Sequence, residues 1–249
     1  MATALVTGAS SGIGLEMATT LGQEGVELFV VARTRGPLEE LAARFEKVTI
    51  IEADLGTAEG RAEVAAAASK VDILINNAGF GEHGAFASMP TGRVTQMIEV
   101  NCVALTELAS AALPAMLERG SGSILNIAST AAFQAGPTMA VYGATKAYVL
   151  SFTEAIAEEV RGSGVSVTAF CPGAFASGFQ DAAHIGESRL VKDRKLPSST
   201  QIAAEALAAM RRKDVVAVPG LMNKINAVSV RFTPRPVLRR VAHYVLGAA

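Results

Sequence analysis

Tyr142 and Lys146 stand four residues apart in AVYGATKAYVLSFTEAIAEEV, whose apolar residues recur at helical spacing, so a phenol and an ammonium share one helix face. A free phenol titrates at about pH 10, and a neighbouring cation favours its ionised form. Lys146 is placed to be that cation, which would let Tyr142 give or take a proton in neutral water. Ser129 follows the apolar run SILNI and could donate a hydrogen bond to a substrate oxygen on which negative charge collects. An isolated Tyr-x-x-x-Lys also describes an ordinary surface pair on a helix. The surroundings decide between the two.

SILNI has the length and composition of a strand, and Gly136-Pro137 breaks the chain before the helix that carries the pair. At the start of the chain, ALVT reads as a strand, Gly8, Gly12 and Gly14 punctuate a turn, and Ile13, Met17, Ala18 and Leu21 form one helix face. Such a turn presents backbone N–H groups and the positive end of a helix dipole to a phosphate. Its G-x-x-x-G-x-G spacing departs from the commoner G-x-G-x-x-G dinucleotide fingerprint, and tight packing of small residues is the competing explanation. ELFVVA is a second strand and ends in Ala32-Arg33-Thr34-Arg35. An acidic side chain at this point accepts a ribose 2′-hydroxyl, whereas an arginine accommodates a 2′-phosphate. The missing carboxylate therefore points to NADP(H), with Arg33 as the first contact and Arg35 as the second.

Residues 37–45 read as a helix with Pro37 at its start, and VTII as a third strand followed by Asp54. Asp54 is placed either to touch an adenine or to cap the helix that begins near Thr57. VDILI is a fourth strand that ends in Asn76-Asn77-Ala78-Gly79, two amides and a glycine suited to backbone hydrogen bonds and close passage of a ligand. Residues 91–118 are helical in spacing with Asn101 inside, a poor helix former that implies exposure or a local distortion. SILNI is the fifth strand, and the sixth, residues 165–170, ends at Cys171-Pro172-Gly173.

Residues 174–199 show no period, and we read them as a flap over the site. Ser199 or Thr200 then caps the helix QIAAEALAAMRR, and VVAVP is a seventh strand. The tail, residues 221–249, alternates apolar residues with Arg231, Arg235, Arg239 and Arg240. It reads as an element packed on its own or a neighbouring subunit in preference to a basic amphipathic element for a membrane surface.

The chain has 249 residues, half of them hydrophobic, and a net charge of −1, a balance that gives no general affinity for nucleic acid or anionic membranes. Cys102 and Cys171 form no metal-ligand spacing, and His83, His184 and His243 share no ligand pattern, so we expect neither a metal nor a disulfide framework. Two cysteines suit a reducing cytoplasm. With the first strand beginning at the third residue we expect no charged and cleavable apolar leader, and no uninterrupted apolar run reaches the ~18 residues of a membrane span.

Taken together, Thr7-Gly8-x-x-x-Gly12-x-Gly14, Asn76-Asn77-Ala78-Gly79, Asn101, Ser129, Tyr142-x-x-x-Lys146 and Pro172-Gly173 resemble the short-chain dehydrogenase/reductase family. The resemblance runs in order and spacing from the first strand to about Gly173. It implies one α/β domain over residues 1–249, of doubly wound Rossmann type, with a seven-stranded parallel sheet and helices on both faces. It implies hydride transfer between a nicotinamide and a carbonyl or alcohol carbon, on a small ketone or secondary alcohol, by a homodimer or homotetramer built through its two long helices.

Carried over by position, Tyr142 would be the general acid/base and Ser129 the residue that orients the substrate oxygen. Lys146 would lower the tyrosine pKa and hold the nicotinamide ribose, and Asn101 would keep a water in a proton relay. Gly8, Ser10, Ser11, Gly12, Ile13 and Gly14 map to the pyrophosphate turn, Asp54 and Leu55 to the adenine contact, and Asn77, Ala78 and Gly79 to the adenosine side. After Pro172 and Gly173 the family often has a branched aliphatic residue and then a threonine, where this chain has Phe175 and Ser177. Ala131, Ala132, Phe133, Phe175 and Phe179 suggest an apolar pocket, although core packing explains them equally well. The same fold kept as a cofactor sensor without turnover is the alternative, and the complete set Asn101, Ser129, Tyr142 and Lys146 speaks against it.

Overall fold

The computed structural model describes residues 2–176, 183, 188 and 196–247. Seven parallel strands form one sheet in the order β3-β2-β1-β4-β5-β6-β7. In chain order the elements begin with β1 Thr3–Thr7, α1 Gly12–Gln23, β2 Glu27–Ala32, α2 Arg35–Ala42, β3 Val48–Glu52, α3 Ala58–Ala68 and β4 Ile73–Asn76. They continue with α4 Thr91–Ile98, α5 Leu105–Arg119, β5 Gly122–Ile127, α6 Ala140–Glu159, β6 Val165–Phe170 and α7 Ser199–Arg211. The two-residue β7 Val216–Ala217, α8 Leu221–Ser229 and α9 Arg235–Leu246 complete the described chain.

Because successive side chains of a strand point to opposite faces, β1 sends Ala4 and Val6 to one side and Leu5 to the other. The first face packs against Ile13, Met17 and Leu21 of α1, Leu38 and Leu41 of α2 and Leu207 and Met210 of α7. The second packs against Val64 of α3, Leu108, Ala112 and Met116 of α5 and Ile156 of α6. Strands covered on both faces read as continuous apolar runs, and that is why the sequence marks them so clearly.

Between α4 and α5 the helix widens into a π turn at Glu99–Ala104, and Asn101 lies in it, 1% exposed. Of the two outcomes open for this residue, distortion is the one observed. The continuous helix Thr91–Arg119 is long and apolar enough by length and composition to cross a membrane. Here it is the helix that closes the second core.

Some boundaries differ from expectation. The cap of α7 is Ser198, one residue before the two candidates: its hydroxyl accepts from the Gln201 N–H at 3.2 Å while the Gln201 side chain accepts from the Ser198 N–H at 3.1 Å. This reciprocal pair satisfies two donors at once, which neither Ser199 nor Thr200 could do from inside the first turn. Helix α2 begins at Arg35, so Pro37 falls within its first turn, where its missing N–H costs nothing. Of the expected flap only residues 174–176, Ala183, Ser188 and 196–199 are described, and the remainder lies outside the described residues.

Candidate active site

The strand order reverses at β1, which pairs with β2 on one side and β4 on the other, and ligands of open α/β sheets bind in the crevice beyond such a point. Thr7 and Asn77 tie the two strand ends together there. The Thr7 hydroxyl donates to the Ile75 carbonyl at 3.2 Å and accepts from the N–H groups of Asn77 and Ala78 at 2.9 and 3.0 Å. The Asn77 side-chain amide donates to the Thr7 and Gly8 carbonyls at 2.8 and 3.3 Å. Asn77 thus holds the glycine turn against β4.

The glycines divide into two kinds. A Cβ at Gly14 would lie 2.3 Å from the Gly8 carbonyl oxygen and 2.4 Å from the Asn77 amide nitrogen, so this glycine serves close packing of α1 on the turn. Gly12 has φ +56° and no atom within 4 Å of its missing Cβ, so it serves a left-handed turn that faces open space. Ser11 stands at the N-cap of α1 without a side-chain cap bond, Ser10 is half-buried, and the first turn holds no acidic residue. The free N–H groups and the open face suit an anion of phosphate type. Ile13 is buried in the core, so only its backbone faces the turn.

At the end of β2, Arg33 is exposed and forms no ion pair or hydrogen bond among the described residues, whereas Arg35 is paired with Glu39 at 2.7 Å. Asp54 does not cap α3. Thr57 does so by accepting from the Gly60 N–H at 3.1 Å, and one Asp54 carboxylate oxygen accepts from the Gly56 N–H at 2.8 Å. Leu55 is 5% exposed in the second core, and Ala78 packs against the same core. Beyond them Gly79 is exposed, with its missing Cβ 3.0 Å from the Asn101 side-chain oxygen and 3.5 Å from Lys146 Nζ.

Ser129, Tyr142 and Lys146 come together where β5 ends and α6 begins. Ser129 starts a short 3-10 turn, Thr130–Phe133, and its hydroxyl oxygen accepts from the Ala131 N–H at 3.1 Å, which leaves the hydroxyl proton available to donate. Lys146 is 5% exposed, donates to the Ile127 carbonyl at 2.7 Å, and stands 5.8 Å from the centroid of the Tyr142 ring. Asn101 donates to the Phe80 carbonyl at 2.9 Å and to the Thr145 hydroxyl at 3.0 Å, and accepts from the Phe80 N–H at 3.1 Å. The Thr145 hydroxyl in turn donates to the Tyr142 carbonyl at 2.8 Å. The π turn therefore fixes the start of α6, and with it Tyr142, relative to the end of β4.

Burial sets the charge states. It pushes the Tyr142 phenol up to about 12, with a hydrogen bond from Ser129 acting in the other direction. It pushes the Lys146 ammonium down to about 8, opposed by the thiols of Cys102 and Cys171. This corrects the expectation of a phenol made more acidic by its neighbour. The cation lies beside the ring, and desolvation of the phenol sets the direction. The pair at neutral pH is thus a protonated phenol next to a charged lysine.

The Pro172 carbonyl accepts from the Thr130 N–H at 2.9 Å, and Gly173 lies so close to Asn223 of α8 that a Cβ would approach its amide nitrogen to 2.7 Å. Phe175 packs on the first core and Ala132 and Phe133 on the third, so core packing accounts for these three. Ser177 and Phe179 lie outside the described residues. The apolar wall beside Tyr142 is made by Met139, Ala183 and Leu246 of α9. Sequence reasoning missed Thr145, Met139 and Leu246. Thr145 carries a signal, since it precedes Lys146 on the helix, but the tail residue does not. A separate apolar groove of about 480 Å³, between α4 and α6, is lined by residues that include Phe86, Ile98, Val141 and Ala144 and none of the reactive trio.

Residues 2–187 match the sequence profile of a family described as short chain dehydrogenase. The ketoacyl reductase HetN of Nostoc sp. is 32% identical over 243 residues, 93% of this chain and 79% of that protein. Among solved structures, a short-chain dehydrogenase from Sphingobium yanoikuyae in complex with NADPH has a TM-score of 0.84 at 31% identity, covering 93% of this chain and 94% of the other. A bulky-bulky ketone specific alcohol dehydrogenase from Comamonas testosteroni has a TM-score of 0.80 at 31% identity, covering 93% of each chain.

Proposed function

The chain belongs to the short-chain dehydrogenase/reductase family of oxidoreductases, and from that premise we propose that it is an NADPH-dependent reductase of ketones with apolar substituents. The observation that carries the reading is the gathering of a protonated Tyr142, the Ser129 hydroxyl and the buried Lys146 ammonium at one strand end, beside the switch point of the sheet.

The residues present fit a nicotinamide dinucleotide phosphate: the uncapped end of α1 and the open face of Gly12 suit its pyrophosphate, and the unpartnered Arg33 suits its 2′-phosphate. Gly8, Ser10, Ser11, Ile13 and Gly14 would complete the turn around it. Asp54, Leu55, Asn77, Ala78 and Gly79 would border the adenosine, and Pro172, Gly173, Phe175 and Ser177 the carboxamide. When bound, the group supplies the hydride that the protein itself lacks. The Ser129 hydroxyl donates to the substrate oxygen and holds it toward Tyr142. Tyr142 passes its phenolic proton to that oxygen, and the Lys146 ammonium stabilises the phenolate left behind. Asn101, with both amide atoms engaged by Phe80 and Thr145, acts by fixing the start of α6, and a water held near it would return the proton.

A wall of Met139, Ala183 and Leu246 favours a substrate with apolar groups, in keeping with the ketone specificity named for the Comamonas enzyme. The name of the Nostoc relative, a ketoacyl reductase, favours a ketoacyl substrate as a second class. The apolar groove between α4 and α6 supports pairing of two copies through these helices, and the buried free thiols Cys102 and Cys171 fit a reducing compartment such as the cytoplasm. The test is consumption of NADPH by the purified chain with a panel of bulky aryl ketones and acetoacetyl thioesters. Turnover of the aryl ketones is expected, and no turnover of any carbonyl, nor of the matching alcohols with NADP, would refute the reading.

A further inference from the structure

Five cations, Lys224, Arg231, Arg235, Arg239 and Arg240, lie after residue 214, and that stretch contains no Asp or Glu. None of the five is in an ion pair among the described residues. In α8 the apolar side chains of Leu221, Ile225 and Val228, spaced i, i+4 and i+7, are 73%, 49% and 56% exposed. In α9 Val237 and Val241, one turn apart, are 47% and 53% exposed, and Tyr244 continues the stripe. Three residues after the first member of each stripe stands a cation, Lys224 in α8 and Arg240 in α9. Phe232, between the helices, is 82% exposed.

Scattered apolar residues are normal on a surface, but two stripes and an exposed phenylalanine within one short segment are not scattered. The other face of α9 is spoken for: Ala242 is buried, Leu246 packs with Met139, and the Leu246 carbonyl is within 3.1 Å of His83 Nε2. The helix is therefore held to the body by one face and presents the other to its surroundings.

Charge decides between the two occupants such a face could take. A symmetric contact with a second copy would bring two sets of the same cations together with no carboxylate in the segment to pair them. Anionic headgroups would pair the cations beside the stripes, Lys224 and Arg240, together with Arg231 at the turn after α8, whereas Arg235 and Arg239 lie two residues from Val237, on the opposite side of α9. We propose that residues 221–246 dock on the surface of an anionic lipid bilayer, with Phe232 and the two stripes entering the boundary between headgroups and acyl chains and Lys224, Arg231 and Arg240 facing lipid phosphates. Docking does not depend on the catalytic reading above. If that reading also holds, the contact of Leu246 with the wall beside Tyr142 puts the site next to the phase in which apolar ketones concentrate.

The test is co-sedimentation of the full chain with vesicles of phosphatidylcholine alone and of equal parts phosphatidylcholine and phosphatidylglycerol. The protein should pellet with the mixed vesicles, remain in solution with the neutral ones, and be released by salt as charges are screened. Each basic residue near such a surface contributes about a fivefold change in partition, so the triple variant K224Q/R231Q/R240Q should bind roughly 100-fold more weakly. The pair F232S/V241S should also bind at least about tenfold more weakly while it unfolds at the wild-type temperature. Should the triple variant fail to fold, the salt series on the wild type reads the same electrostatic term. Equal pelleting with both kinds of vesicle, or with neither, would overturn the proposal, as would a dimer that F232S/V241S dissociates.

Discussion

Replacing Lys146 by methionine should make the protein more stable at neutral pH and close to inactive. Lys146 is 5% exposed, and burial lowers its pKa from 10.5 to about 8. At about 1.4 kcal/mol per unit, that drop is a cost of about 3 kcal/mol for keeping the ammonium charged in the folded protein. The sign follows from proton counts: between pH 8 and 10.5 the unfolded chain holds a proton at this site that the folded one has released, so the lysine's cost is full below 8 and is relieved as pH rises.

Methionine has similar reach and no charge, but it leaves the Ile127 carbonyl without the donor now 2.7 Å away, at a cost of about 1–3 kcal/mol. The net gain at pH 6.5 is thus of order 1 kcal/mol, or a rise of about 2–4 °C in Tm. Near pH 10 the gain should vanish or reverse. Thermal and urea unfolding of both proteins at the two pH values measures this, and NADPH consumption should fall at least about 100-fold. A variant less stable than wild type at pH 6.5 by more than about 2 kcal/mol, or a difference unchanged at pH 10, would refute the reasoning.

Other expectations are narrower. Gly14→Ala should lose at least about 2 kcal/mol of stability because its Cβ meets the Gly8 carbonyl at 2.3 Å, while Gly12→Ala should fold at a cost of about 1–2 kcal/mol and lose NADPH affinity; denaturation and cofactor fluorescence separate the two. NADPH should bind more tightly than NADH, and Arg33→Ala should close most of that gap; a titration showing preference for NADH would contradict it. Reduction should slow above pH ~8, as the Lys146 ammonium loses its proton while the Tyr142 phenol keeps its own toward 12.

Much of this was readable before any coordinates. Parallel strands buried on both faces are apolar runs, and Gly8, Gly12 and Gly14 show where the chain turns. A weak helix former at Asn101 left exposure or a local distortion open, and the π turn is the second of these. What was not readable depends on surroundings that spacing does not encode. Three polar residues follow one another at 198–200, the expectation named only Ser199 and Thr200, and the reciprocal bond with Gln201 selects Ser198. Tyr142 and Lys146 were placed together correctly, but their titration is governed by burial, which a four-residue interval says nothing about. Leu246 reaches the site from the far end of the chain, a contact no local pattern reveals.

The most direct measurement is the single-turnover reduction of a bulky aryl ketone with NADPH by the wild type and by Tyr142→Phe, with cofactor affinity determined on the same samples. Loss of the phenolic proton should slow the reaction by about 100-fold to 10,000-fold with NADPH affinity retained. Equal rates in the two proteins would show that the proton comes from elsewhere and would contradict the account.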